Sequence, residues 1–364
     1  MKQANAIPLV AHVFPTFAVG GAQVRFAAVA NHFGCQFRHI VVSLDGDLTC
    51  RERLDPALDV SFPQVMATKD AMLASAWRFR RLLRNWRPDI LVTCNWGAIE
   101  FALANLVPVT RHLHVMDGFG PEERDRQIPR RVWMRRLALG RSPVVLPSRT
   151  LTRIAEDVWR LPPQVITYVP NGIDLSRFAT DGRRRGGEEP MIGTVAALRS
   201  EKNIGRLIQA VARLPLGRLV IVGDGAERAQ LEALAESLGI ASRVRFAGHH
   251  RDPASFYAQF DIFALSSDTE QMPLSVLEAM ASGLPVVSTD VGDVKTMVSA
   301  EGADLITPLD DGALASALGS LLGNPQRRAE IGAANLAKAR REFDQSAMFA
   351  AYGALWTGAS RGIA

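Results

Sequence analysis

Short apolar runs alternate with amphipathic stretches along most of the chain, and the period of each predicts its element. In the N-terminal half the apolar runs are PLVAHVF, HIVVSL, DILVTC and VTRHLHV. Between them lie AQVRFAAVANHF, residues 70–86 and AIEFALANL, with apolar positions at helical spacing. Strands alternating with helices predict βα units and a parallel sheet. The C-terminal half repeats the pattern with MIGTVAAL, a helix over 203–214, GRLVIVG, a helix over 226–238, VRFAG, DIFALS, a helix over 273–282 and PVVST. In the 203–214 helix Ile204, Leu207, Ile208, Val211 and Leu214 fall on one face. These are two βα series and so two sheets.

The periodicity fails over PNGIDLSRFATDGRRRGGEEP, residues 170–190, where Pro, Gly, Asn and dense charge predict an interdomain linker. A last helical stretch, 343–356, carries Phe343, Phe349, Tyr352 and Trp356, enough apolar surface to dock on one of the domains. The expected division is an N-terminal domain over 1–170, a linker over 171–190, a C-terminal domain over 191–342 and a docking helix within 343–364. A length of 364 residues agrees with two cores, and a cleft between two domains is a natural ligand site.

Composition narrows the class. Hydrophobic residues make up 48% and charged residues 22%, and no run reaches the length and apolarity of a membrane span, so the expectation is a globular protein. MKQANAIPLVAHVF runs into a strand without a cleavage pattern, which predicts a cytoplasmic location. Cys35, Cys50 and Cys94 are odd in number and widely spaced, arguing against a disulfide framework or a zinc site; each is expected to be a small buried hydrophobe. The net charge of +5 gathers in AWRFRRLLRNWR (76–87) and RQIPRRVWMRRLALGR (126–141), where arginines interleave with Trp and Leu. The helix at 70–86 reads two ways: one packed on the sheet with a wet basic side, or one lying on the anionic inner face of a membrane.

Chemistry in open parallel sheets sits beyond the C-terminal ends of strands. Gly20 and Gly21 follow the first strand and open a helix; they make either a tight turn or a place where backbone N–H groups meet an anion. Arg199, Ser200, Glu201, Lys202 and Asn203 stand before the 203–214 helix, and a cation there opposes the helix dipole unless an anionic ligand is present. Only five of the chain's residues are lysines, against 37 arginines, so Lys202 is not background composition. VGDGAER places Gly223 in a strand-to-helix turn, although Arg228 stands where a dinucleotide fingerprint has its third glycine. Asp45-Gly46-Asp47 reads as a turn ahead of a metal-binding D-x-D. In EQMPLSVLEAMASGLPVV, Pro273 suits a first helical position and Gly283 a C-terminal cap. Glu270 then lies in the loop ahead of the helix. Glu278 lies one turn inside, tilted back toward the same mouth past the N–H groups of Leu274 and Ser275. Two carboxylates among apolar neighbours call for partners, either ligand hydroxyls or an internal arginine.

These pieces resemble family 4 of the retaining glycosyltransferases, over nearly the whole chain: GGAQVRF, NWGAIEFALAN, HVMDGFGPEE, VVLPSRTL, VPNGIDLSRF, IGTVAALRSEKN, IVGDGAER and DIFALSSDTEQMPLSVLEAMASGLPVVSTDVGD. The E-x7-E spacing followed by EAMASGLPVV is the specific part. The resemblance implies a GT-B α/β fold, two Rossmann-like parallel-sheet domains facing each other across a cleft. It implies transfer of a hexose-type sugar, with retention and without a metal or other cofactor, from a nucleotide-sugar donor to a glycan or lipid-linked acceptor. UDP-sugar is the first choice of donor and GDP-sugar the second. Glu278 matches the residue that holds the ribose, Glu270 the one that holds the donor sugar, Lys202 the diphosphate lysine, and His114, in the HVMDGFG loop, the histidine of the reaction centre, with His112 behind it. His114, Lys202 and Glu270 are thus the catalytic candidates. Gly20, Gly21, Arg199, Gly223, His249, Met272, Pro273, Leu274 and Ser275 join Lys202, Glu270 and Glu278 at the donor, and Asn95, Trp96 and Asp117 serve the acceptor. Two positions depart from the family pattern: Ala197 replaces an arginine and Gln271 a glycine. The rival readings are a nucleotide-sugar epimerase or a phosphorylase on the same fold, and a non-catalytic binder of anionic lipid or polymer; nucleic acid is not an expected partner.

Overall fold

The computed structural model describes residues 7–65, 72–123, 126–178 and 189–358. The chain divides into two compact units: residues 1–170 with 348–364, and residues 171–347.

The N-terminal unit is built on seven strands, β1 (Leu9–Phe14), β2 (Arg38–Ser43), β3 (Val60–Ser61), β4 (Ile90–Cys94), β5 (Arg111–Val115), β6 (Val144–Leu146) and β7 (Ile166–Tyr168). All pairs are parallel, in the order β3-β2-β1-β4-β5-β6-β7. Its helices are α1 (Gly21–Phe33), α2 (Met72–Trp86), α3 (Ile99–Ala104), α4 (Pro129–Leu139) and α5 (Arg149–Asp157). Because side chains alternate along a strand, the two sheet faces carry separate cores. Val10, Phe14, Val41 and Val92 pack with α1 residues Phe26, Val29 and Ala30. Ala11, Val13, Val42 and Leu91 pack on the other side with Phe79 and Leu83 of α2 and Phe101 of α3. That second side continues under α4 and α5 through Met134, Leu139, Leu151 and the fully buried Trp159.

The C-terminal unit contains β8 (Met191–Val195), β9 (Arg218–Val222), β10 (Val244–Gly248), β11 (Ile262–Leu265), β12 (Val286–Thr289) and β13 (Ile306–Thr307). They too are parallel, in the order β10-β9-β8-β11-β12-β13. Its helices are α6 (Ile204–Ala212), α7 (Arg228–Ser237), α8 (Ala254–Tyr257), α9 (Leu274–Ala281), α10 (Val294–Met297), α11 (Asp311–Leu322) and α12 (Pro325–Glu342). The helix α13 (Gln345–Thr357) starts in this unit, and its Met348, Phe349, Tyr352, Leu355 and Trp356 complete the α1 side of the N-terminal core.

Two expectations need correction, and one holds. Residues 171–178, read as linker, are packed: Ile173 and Phe178 are in the core of the C-terminal unit, and the Ile173 N–H donates to the Phe343 carbonyl at 2.8 Å. Residues 179–188 of that predicted linker lie outside the described residues. Cys50 and Cys94 are buried as expected, but Cys35 is exposed, because it sits in the short turn after α1, past the last core-facing residue of that helix. Asp45-Gly46-Asp47 is a turn: Asp45 Oδ1 accepts from Ser43 and from the Asp47 N–H, Asp47 Oδ1 accepts from Thr49, and Gly46 adopts φ +85°.

In both sheets the strand order reverses direction once, between β1 and β4 and between β8 and β11. The loops after those strands are where an open parallel sheet receives a ligand.

Candidate functional site

In the C-terminal unit the two switch-point loops are residues 196–203 after β8 and 266–273 after β11. Asn203, in the left-handed region at φ +43°, ends the first loop, and its side chain accepts from the Arg206 N–H to cap α6. This sharp entry leaves Lys202 at the loop's end. Its Nζ donates to Glu270 Oε1 at 2.6 Å, and the Ser267 hydroxyl donates to the same oxygen at 2.7 Å. Lys202 and Glu270 side chains are 22% and 11% exposed, so the pair is shielded but reachable from solvent. The conflict between a cation and the start of α6 is thus resolved within the protein by a carboxylate.

A second ion pair clamps the same loops together. Arg206 meets Asp268 Oδ1 at 2.7 Å and donates to the Ser266 carbonyl at 2.8 Å; Asn203 Nδ2 reaches Asp268 at 3.1 Å. The Asp268 N–H donates to the Glu201 carbonyl, and Ser266 Oγ to the Lys202 carbonyl. With both members near 10% exposed, this pair is paid for only because each charge has several partners. Neither Arg206 nor Asp268 was a sequence candidate. A basic residue four positions after Lys202 returns to the same helical face, which is the only signal the sequence held.

Helix α9 starts at Leu274, with Pro273 as the residue ahead of it rather than the first helical one: Pro273 has ψ +124°. Leu274 and Ser275 are the first two helical residues, so their N–H groups have no carbonyl within the helix, and no side chain caps it. Glu278 is one turn on, half-buried, and its Oε2 accepts from the Tyr257 hydroxyl at 2.6 Å. Burial, with the Glu278 carboxylate adding to it, pushes the Tyr257 hydroxyl well above its ordinary range. Glu270 thus has a lysine and a serine as partners, and Glu278 has the Tyr257 hydroxyl among its own. Met272 and Pro273 are buried, and the Met272 carbonyl accepts from Asn171 Nδ2 at 2.9 Å.

Glycines set the shape of both loops. Gly292, at φ +55°, lies so close to the Glu270 and Gln271 carbonyls that a Cβ would sit 2.5 and 2.4 Å from them. Gly223, at φ +144°, ends β9, where a Cβ would fall 1.8 Å from the Ala196 carbonyl. Its lack of a side chain lets the Lys202 loop fold over β9. Arg199 is 58% exposed and lies 3.6 Å from Glu201, and His249 is exposed after β10.

In the N-terminal unit Gly20 precedes α1 and Gly21 opens it, with Gln23 donating to the Thr16 carbonyl at 2.8 Å. Arg25, one turn into α1, pairs with Asp117 at 2.5 Å. Asp117 follows β5, and its N–H donates to the side chain of Asn95, which sits in the left-handed region at φ +57° after β4. Asp117 Oδ2 is buried without a protein partner. The Trp96 ring is covered by the guanidinium groups of Arg131 and Arg135, each 5.0 Å from its centre; Arg135 in turn makes a two-bond pair with the buried Glu123.

His114 is not in a loop. It lies on β5, 1% exposed, with Nδ1 2.8 Å from Thr93 Oγ1, and the same hydroxyl meets His112 Nε2 at 2.8 Å. Burial holds both rings well below their ordinary pKa, His112 at about 4, with His112 and Arg135 adding to the effect on His114. Both histidines are neutral at physiological pH. The reading of His114 as a loop histidine fails because the β5 run extends through Val115. Asp117 is the ionisable residue at the strand's end.

Residues 19–177 match the family model described as Glycosyltransferase Family 4, and residues 179–337 the model described as Glycosyl transferases group 1. Among curated proteins, the lipopolysaccharide core biosynthesis glycosyltransferase LpsE of Rhizobium meliloti is 43% identical over 102 residues, 28% of this chain and 30% of LpsE. The GDP-mannose-dependent alpha-mannosyltransferase of Mycobacterium tuberculosis is 30% identical over 266 residues, 69% of this chain and 68% of that protein. Among solved structures, Anabaena HepE in complex with UDP-glucose superposes with a TM-score of 0.81 at 18% identity, over 96% of this chain and 99% of HepE.

Proposed function

Because the chain belongs to glycosyltransferase family 4, with two Rossmann-like sheets of the GT-B fold, we propose that it transfers a hexose-type sugar, with retention, from a nucleotide-sugar to a glycan or lipid-linked acceptor of surface-polysaccharide type. The observation that carries this reading is the Lys202–Glu270 pair beside the uncapped start of α9.

An ammonium held by one carboxylate and set next to two outward N–H groups is a cradle for a diphosphate. When the donor enters, its phosphate oxygens take over Lys202 and the amides of Leu274 and Ser275; Pro273 has no N–H to offer. Glu270, relieved of Lys202 but still fixed by Ser267, accepts from hydroxyls of the sugar. Glu278, held by Tyr257, accepts from the ribose. Breaking the anomeric C–O bond places negative charge on the leaving diphosphate and oxocarbenium character on the ring. A cation and dipoles already aimed at that charge stabilise it by about 3–4 kcal/mol per donor. The departing phosphate oxygen takes the acceptor's proton on the same face, so this step needs neither a protein base nor a metal. In the N-terminal unit Asp117 and Asn95 receive the acceptor hydroxyls, Trp96 lends an apolar wall, and neutral His114 positions β5 rather than touching substrate.

The test is a panel of UDP- and GDP-sugars, read by release of nucleoside diphosphate and by thermal shift. The panel spans both bases because the mannosyltransferase relative is named for GDP-mannose and the HepE structure holds UDP-glucose. The expected result is turnover with one donor, lost with Lys202→Ala and Glu270→Ala. A chain that neither turns over nor is stabilised by any member of the panel, with both variants matching it, refutes the proposal.

A further inference from the structure

Residues 171–178, which the sequence reads as linker, brace the donor side of the C-terminal unit. Gly172 passes so close to the start of α13 that a Cβ would fall 2.6 Å from Gln345 Cα and 3.2 Å from the Asp344 carbonyl oxygen. Ile173 then pairs in parallel with Asp344, donating to the Phe343 carbonyl at 2.8 Å and accepting from the Gln345 N–H at 3.1 Å. These contacts hold the backbone beside Asn171, so its side chain is presented from a fixed anchor. Asn171 is buried; its Nδ2 donates to the Met272 carbonyl at 2.9 Å, and its N–H lies 3.2 Å from Met272 Sδ. Further along, Leu175 packs on the same core and Phe178 meets the Tyr257 ring edge-on at 5.6 Å. Tyr257 in turn holds Glu278. One short segment thus backs residues on either side of the first turn of α9.

A peptide unit is planar, so holding the Met272 carbonyl holds the plane that joins Met272 to Pro273. The carbonyl before it is pinned as well, since Gln271 accepts from the Asp293 N–H at 2.9 Å. Pro273 adds a ring-locked φ, here −68°, and only its ψ of +124° separates the fixed plane from the first helical residue. The direction of the Leu274 and Ser275 N–H groups follows from that chain of constraints.

We propose that Asn171 is a positioning residue for the donor: by holding the Met272 carbonyl it aims the amides of Leu274 and Ser275 at the outer phosphate of a nucleoside diphosphate. The inference rests on the sugar-transfer reading. It gives a residue outside both switch-point loops a share in the preference for a diphosphate over a monophosphate. Met272 is buried, so a carbonyl deprived of Nδ2 has to turn toward another donor or toward water. The stiff proline passes that rotation on to the start of α9.

The experiment is isothermal titration of the full chain with UDP, GDP, UMP and GMP, for the parent, Asn171→Asp and Asn171→Ala, with circular dichroism as the check on folding. Asn171→Asp keeps the size of the side chain but sets a carboxylate oxygen against the Met272 carbonyl. Asn171→Ala removes the donor without adding charge. The parent is expected to bind one diphosphate more tightly than its monophosphate. Asn171→Asp should weaken that diphosphate by about tenfold and Asn171→Ala by roughly fivefold. The monophosphate of the same base should change by less than about twofold, so the diphosphate preference shrinks. A role confined to stability would weaken both ligands alike. Variants that bind both ligands as the parent does, that lose both in equal measure, or that do not fold would overturn the positioning role while the sugar-transfer reading stands. A parent that binds neither diphosphate removes that reading and the inference with it.

Discussion

Acid should loosen the N-terminal unit at a pH where ordinary carboxylates are still ionised, because four histidines are buried in its sheet. His12 Nε2 lies 3.2 Å from His39 Nδ1 on the α1 side, and His112 and His114 share Thr93 on the other. Burial lowers all four; His39 and His112 fall from 6.5 to about 4, with Asp59 working slightly the other way on His39. A folded-state pKa below the unfolded value means the unfolded chain binds more protons in between. The stability from these neutral rings is complete above pH 6.5 and is lost as pH falls through 6.5 toward 4. Between about pH 7.5 and pH 5 the loss is about 2 kcal/mol for each of His39 and His112, so about 4 kcal/mol before His12 and His114 are added. That is a large share of a typical domain's stability. All six tryptophans fall outside residues 171–347, so tryptophan fluorescence reports the N-terminal unit alone. Denaturant unfolding followed at 350 nm should show the midpoint falling steadily from about pH 7 to about pH 5. A midpoint that stays level across this window would refute the burial argument. So would a fall that begins only near pH 4, which would trace instead to the carboxylates.

Gly292→Ala should displace the Glu270 loop, because the new Cβ meets two carbonyls at about 2.5 Å in a left-handed conformation; we expect donor-dependent thermal stabilisation to vanish while the fold survives, checked by circular dichroism. Asp268→Asn should weaken the clamp on Arg206 and Asn203, costing about 3 kcal/mol of stability in the C-terminal unit and raising KM for the donor more than it lowers kcat; an unchanged KM would count against the clamp. Tyr257→Phe removes the hydroxyl that Glu278 accepts from and should cost about 1–3 kcal/mol of stability, with donor affinity falling several-fold by calorimetry.

The alternation of strands and helices was legible because strands covered on both faces read as unbroken apolar runs, as in ILVTC and IFAL. The two- and three-residue strands β3, β6, β7 and β13 were not, since so short a stretch has no period. Lys202 and Glu270 could be paired as candidates through the family pattern, and the structure brings them into contact 68 residues apart. Their supporting residues could not be read that way. Asp268 and Arg206 are ordinary surface residue types until folding brings their loops together, and Tyr257 looks like a core aromatic until its hydroxyl is seen on Glu278. The placement of His114 in a loop could not be checked from sequence, because a histidine in a motif carries no sign of how far its strand extends; it lies on β5. Arg25, whose charge is buried against Asp117, gave no signal beyond its place one turn into α1.

Helix α13 closes the core around Val10, Phe14 and Phe26 with a segment that follows the C-terminal unit in sequence. A ribosome making this protein therefore finishes the N-terminal sheet long before it supplies the helix that seals it. Until α13 is made, the newborn sheet exposes His12, Phe37 and His39 where Trp356 will later sit. The order of synthesis thus opposes the order of burial, and the N-terminal sheet must wait for α13, which follows the whole C-terminal unit in sequence, to emerge.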